Sequence, residues 1–125
     1  MQVPILRQGD YLIASIQSAL TDSDLLALRL SLVQQVGSAR ARAVIVDVTA
    51  LDVLDSFASR TLQDLAQMIR LRGAETIAVG VQPEVAFSMA QLGVRLEGVE
   101  TRLDLEEALA YLAGKRAPGK RTREG

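Results

Sequence analysis

Apolar residues recur along this chain with two different periods, and turn-forming residues separate the stretches that carry them. Val3 to Leu6 and Tyr11 to Ile16 flank Gly9-Asp10, the pattern of two strands joined by a hairpin turn. The spacing then changes to that of a helix. Leu25, Leu28, Leu32 and Val36 fall on one face behind the capping candidates Thr21, Asp22 and Ser23, and Gly37 is a stop signal. Ala43 to Val48 is apolar and mostly β-branched apart from Asp47, which predicts a strand covered on both faces. Behind Asp55-Ser56, the residues Ala58, Leu62, Leu65, Ala66 and Ile69 return to helical spacing, to about Arg72, with Gly73 as terminator. Thr76 to Val81 predicts another strand, and Pro83 opens a helix over Glu84 to Leu92 that stops at Gly93. Leu96 to Val99 predicts a short edge strand. Asp104 caps a final helix, Leu105 to Leu112, with Glu106 and Glu107 in its first turn.

Two initial strands followed by alternating helices and strands predict a single α/β domain, with a mixed, mostly parallel sheet and about four helices. Sites in such sheets form at the carboxyl ends of the strands. Asp47, Asp52, Asp55 and Ser56 gather near the end of one central strand, and Gln82-Pro83 follow the next strand on the same side. A serine at the mouth of a helix lies over free backbone N–H groups and the positive end of the helix dipole, which would stabilise a phosphate placed on it. Asp55 or Ser56 also suits a plain N-cap, the commonest role of such residues. Asp47 either orients the site or solvates a strand end. Phe57 is a core anchor or an exposed partner contact. Ser59 is a first-turn helix residue or a second phosphosite. Arg60 reaches a partner or a phosphate, or is simply solvated.

Composition removes most alternatives. A chain of 125 residues holds one domain, and no apolar run reaches the length of a membrane span. Met1-Gln2-Val3-Pro4 shows no secretory signal, and zero cysteines fit a cytoplasmic protein. With neither His nor Cys, the usual general base, thiol nucleophile and zinc ligands are missing. The first lysine is Lys115, so no body lysine serves a P-loop or Schiff base. The expectation is a non-enzyme without cofactor or metal. No tryptophan and few aromatics argue against a base-stacking surface, and hence against nucleic acid as a partner. Charge is unevenly placed. Residues 115–125 carry five basic residues and one acid, a net of +4, which leaves −5 for residues 1–114 of a chain whose total is −1. The expectation is a domain over 1–114 and a basic, flexible C-terminal tail over 115–125. A response-regulator receiver shares the α/β pattern but needs acids after its first strand and a later lysine. Arg7-Gln8-Gly9 and the lysine-free body do not supply them.

The element order and the segment Val44-Ile45-Val46-Asp47-Val48 leading to Asp55-Ser56-Phe57 resemble the STAS domain (sulfate transporter and anti-sigma antagonist) over about residues 3–113. The usual signature continues Ser/Thr-Gly-Leu/Ile-Gly after Asp-Ser, whereas this chain has Phe57-Ala58-Ser59-Arg60. Asp-Ser-Phe resembles instead the RsbS-type antagonists of stressosomes. Val3-Pro4-Ile5-Leu6, Ser15-Ile16-Gln17, Gly80-Val81-Gln82-Pro83, Leu92-Gly93 and Thr101-Arg102-Leu103-Asp104-Leu105-Glu106 are similar to the same group. The resemblance implies a cytoplasmic, non-catalytic scaffold that co-assembles with RsbR-type STAS paralogues and captures an RsbT-type serine kinase. It implies phosphorylation at Ser56, release of the kinase and resetting by an RsbX-type phosphatase, away from any membrane. Asp47, Asp52, Asp55, Phe57, Ser59 and Arg60 are the implied partner-facing residues. Two other readings are an ordinary antagonist that binds an anti-sigma factor directly and a small-ligand or nucleotide module, the latter without a Gly-rich phosphate loop.

Overall fold

A computed structural model describes residues 3–115. Strands β1 (Ile5–Gln8), β2 (Tyr11–Ser15), β3 (Ala43–Asp47), β4 (Glu75–Val79) and β5 (Val99–Arg102) form one sheet in chain order. The β1–β2 pair is antiparallel and every other pair parallel. Gln8 pairs with Tyr11, so Gly9-Asp10 forms a two-residue hairpin loop, with Gly9 at φ 60°. Helices α1 (Asp22–Ala39), α2 (Ser56–Leu71), α3 (Pro83–Leu92) and α4 (Leu105–Lys115) complete the domain.

The sheet is covered on both faces. Leu12, Ala14, Val44 and Val46 pack with Leu32 and Val36 of α1, Leu65 and Ile69 of α2, and Val85 and Met89 of α3. On the other face, Ile13, Ile45, Ile77 and Val79 pack with Ala108 and Leu112 of α4. This two-sided burial explains why β3 reads as a nearly continuous apolar run. Ile69 has no exposed surface. Truncating such a residue to alanine typically costs about 2–5 kcal/mol.

The elements appear where the periodicity places them, with corrections at their ends. The first strand lies two residues further along, as Ile5–Gln8 instead of Val3 to Leu6, because pairing continues up to the hairpin loop. Helix α1 passes through Gly37 to Ala39 and ends at Arg40, which takes the left-handed conformation (φ 52°). Gly37 has a packing role instead: a β-carbon there would fall 1.9 Å from the Arg72 guanidinium. The last strand is Val99–Arg102, not Leu96 to Val99. Glu97-Gly98 form a turn in which the Val99 N–H donates to the Leu96 carbonyl, and pairing with β4 starts only after it. Helix α4 continues past Gly114 to include Lys115, the expected first residue of the tail. Residues 116–125 of that expected tail lie outside the described residues.

At the amino-terminal end of β4, the Tyr111 hydroxyl donates to the Glu75 carboxylate at 2.6 Å and Lys115 Nζ reaches the same carboxylate at 3.2 Å. The Glu75 hydrogen bond holds the Tyr111 phenol above its ordinary pKa, and Glu75 likewise raises Lys115. Both groups are therefore stabilised in their protonated forms. Their contribution is fully present below the ordinary pKa values, near 10.0 for Tyr and 10.5 for Lys, and is lost as pH climbs through the raised values. Denaturant titrations of wild type and Tyr111→Phe should show a stability gap at neutral pH that closes in strong alkali. A gap that widens there would contradict this account.

Candidate functional site at the carboxyl edge of the sheet

Register brings Ser15, Asp47 and Val79 level, so the carboxyl ends of β2, β3 and β4 form a common rim. The β3–α2 connection leaves this rim at Asp47. The half-buried Asp47 carboxylate accepts the Thr49 N–H at 2.9 Å and the Thr49 hydroxyl at 2.6 Å through one oxygen, which bends the chain away from the strand. The Gln82 side-chain amide then donates to the Thr49 carbonyl and ties the turn to the start of α3. Gly80, which follows β4, is the third part of this anchor. Its φ is +78°, and a β-carbon on it would sit 1.9 Å from Thr49 Oγ1. Asp47 thus orients the loop and does not merely solvate the strand.

The loop carries Asp52 and Val53 into solvent, Val53 being 72 % exposed, while Leu51 and Leu54 turn inward. Asp55 is the N-cap of α2, and its carboxylate accepts the Ala58 N–H at 2.8 Å. Ser56 is the first helical residue and exposed. Its hydroxyl has no hydrogen bond among the described residues. The two candidate caps therefore have separate tasks: Asp55 closes the helix and Ser56 presents its hydroxyl. The N–H groups of the first turn that Asp55 does not take lie beside that hydroxyl, at the positive end of the helix dipole.

The remaining candidates divide. Arg60 is exposed and lies one turn from Ser56 on the same helix face, whereas Phe57 is half-buried. Ser59 does not belong to the partner-facing set: it is 1 % exposed, because its helical phase turns it toward the domain interior. Its hydroxyl has no partner among the described residues. Thr49 and Gly80 join the site at the Asp47 turn, and Arg95 lies across a shallow groove from Ser56; none of the three was among the candidate site residues. The first two became visible only once β4 was seen to stop at Gly80 beside the β3–α2 turn. Among the described residues, no cluster of three or more acidic, His or Cys side chains is arranged to hold a metal ion, and no helix is long and apolar enough to cross a membrane.

A hairpin followed by parallel strands, with an Asp-capped helix after the central strand and a serine at its first position, agrees with a sequence match of residues 2–108 to the STAS domain. The chain belongs to the STAS domain family. Among structures of family members, a serine-to-glutamate variant of RsbS from Moorella thermoacetica superposes with a TM-score of 0.79 at 28 % identity, covering 93 % of this chain and 98 % of that one. A chain from a study of the molecular architecture of the stressosome, described as a signal integration and transduction hub, gives a TM-score of 0.74 at 25 % identity, covering 91 % and 99 %. The Bacillus subtilis RsbT co-antagonist protein RsbRA is 29 % identical over 70 residues, 56 % of this chain and 26 % of that protein. The chain thus spans about a quarter of the length of that relative. The anti-sigma factor antagonist SpoIIAA, at 13 % identity and a TM-score of 0.69, shares the fold.

The division of tasks at α2 gives a direct stability test. Asp55→Ala should destabilise the domain by about 0.5–2 kcal/mol through the lost cap. Ser56→Ala should cost distinctly less. The reverse order in denaturant melts would mean that Ser56 carries the cap. In the same assay, Gly80→Ala should cost at least about 1–2 kcal/mol from its left-handed backbone alone, with the Thr49 overlap adding to it.

Proposed function

We propose that this chain is a non-catalytic, cytoplasmic scaffold and antagonist of a stressosome-type assembly. In this reading it co-assembles with RsbR-type STAS paralogues and holds an RsbT-type serine kinase on the carboxyl rim of its sheet. Phosphorylation of Ser56 releases the kinase, and an RsbX-type phosphatase restores the binding state. One observation carries the reading: Ser56 is exposed at the first position of α2 while Asp55 alone makes the cap, so the hydroxyl is available for modification without dismantling the helix end. The near full-length likeness to an RsbS variant supports the choice of assembly.

The release step follows from charge. A phosphate adds roughly −1.5 to −2 charges at neutral pH, beside Asp55 and on the same loop region as Asp52. Two like charges about 4 Å apart repel by about 1 kcal/mol in bulk water and about 4 kcal/mol near a protein surface. About 1.4 kcal/mol is a tenfold change in affinity, so one or two carboxylates on a docked kinase suffice for release. No refolding of the domain is required.

Incubation with an RsbT-type kinase and ATP should place phosphate on Ser56 and weaken kinase binding, measured directly between purified proteins. Ser56→Ala should stay folded and retain the kinase throughout. Ser56→Asp should weaken binding less than phosphate does, because it carries less charge. Phosphate on Ser59 alone, or equal kinase affinity before and after stoichiometric Ser56 modification, would refute the mechanism. Preferential capture of an anti-sigma factor over the RsbT-type kinase would identify an ordinary antagonist instead.

A further inference from the structure

Beside the first turn of α2 lies a shallow groove lined by Ser56, Arg60 and Gln63 on one side and by Gly93, Arg95 and Glu97 on the other. Ser59 also contributes to its lining. The two arginines approach from separate parts of the chain. Arg60 follows Ser56 by one helical turn, the spacing at which side chains on a helix meet. Arg95 comes from the segment between α3 and β5. Neither guanidinium is strongly held. Arg60 makes no ion pair among the described residues, and Arg95 faces Glu97 at 3.7 Å with both side chains largely in solvent, at 78 % and 72 % exposure. Exposed pairs of that kind are weak.

We propose that this groove is a phosphate clamp in which Arg60 and Arg95 grip a phosphate on Ser56 of the same chain. The inference rests on the reading of Ser56 as the modified residue. A guanidinium offers paired N–H donors that match phosphate oxygens, and a phosphate carries more charge than the single carboxylate of Glu97. Arg95 therefore exchanges Glu97 for the phosphate, and the α3–β5 segment becomes tethered to the start of α2. The phosphorylated rim is then an ordered surface with a different shape, not only a more negative one. The charged groups beside the phosphate are Asp55, next to Ser56 in the chain, Arg60 on α2, and Arg95 and Glu97 across the groove. The carboxylates oppose its second ionisation and the arginines favour it.

The test uses full-length protein with phosphoserine incorporated biosynthetically at position 56, so that it does not depend on which residue a kinase selects. Phosphorus NMR should show the second phosphate pKa lower in the otherwise wild-type protein than in Arg60→Gln/Arg95→Gln, by roughly one unit. Arg95→Lys should recover part of the difference, and Glu97→Gln should lower the value further. Amide exchange at Val94 to Glu97 should slow several-fold on phosphorylation in wild type but not in Arg95→Gln. Superimposable titration curves in wild type and the double variant, with unchanged exchange, would overturn the clamp. Circular dichroism confirms folding of each variant, whose altered side chains are all exposed. Failure of a kinase to modify Ser56 would count against the proposed function, while the titration would still decide the clamp.

Discussion

Everything at the carboxyl rim depends on the burial of β3 from both sides. Ala43 to Val46 have no exposed surface, held between α1 and α2 on one face and α4 on the other. A strand enclosed in this way has no tolerance for a register slip, since a shift of one residue would exchange the side chains presented to its two packed faces. The alignment of Asp47 with Ser15 and Val79 is thereby fixed, and Asp47 is the first residue of the strand able to reach out of the core. Its clasp of Thr49 converts that fixed register into a fixed loop direction. The position of α2, and of Ser56 at its start, follows from the packing of one strand.

The parts of this fold that were legible in the sequence are those governed by periodicity. The apolar run of β3, the helical stripe of α2 and the Asp55-Ser56 boundary all survive, because each encodes burial or capping locally. The misplaced pieces depended on distant neighbours. Gly37 resembles a helix stop, but its missing side chain makes room for Arg72, far along the chain. Leu96 has the composition of a strand residue, yet the turn at Glu97-Gly98 postpones pairing to Val99.

The candidate site divides in the same way. Its residue types and its place at a strand end were readable, since parallel sheets collect sites there. The helical phase that turns Ser59 inward was available from the spacing of Leu62, Ala66 and Ile69, but a polar side chain at a core-facing position gives no hydrophobic signal. Thr49 and Gly80 are partners across two loops, and Arg95 faces α2 from a third. No local pattern announces such meetings. They arise from the sheet order.

The separation of Asp55 from Ser56 frees the first helical position from the demand of closing the helix. Because the cap is made by the Asp55 side chain, a change at Ser56 leaves the Ala58 N–H bonded and the helix end closed. The helix end is thus built so that its chemistry can vary at one residue while the neighbouring residue keeps its fold.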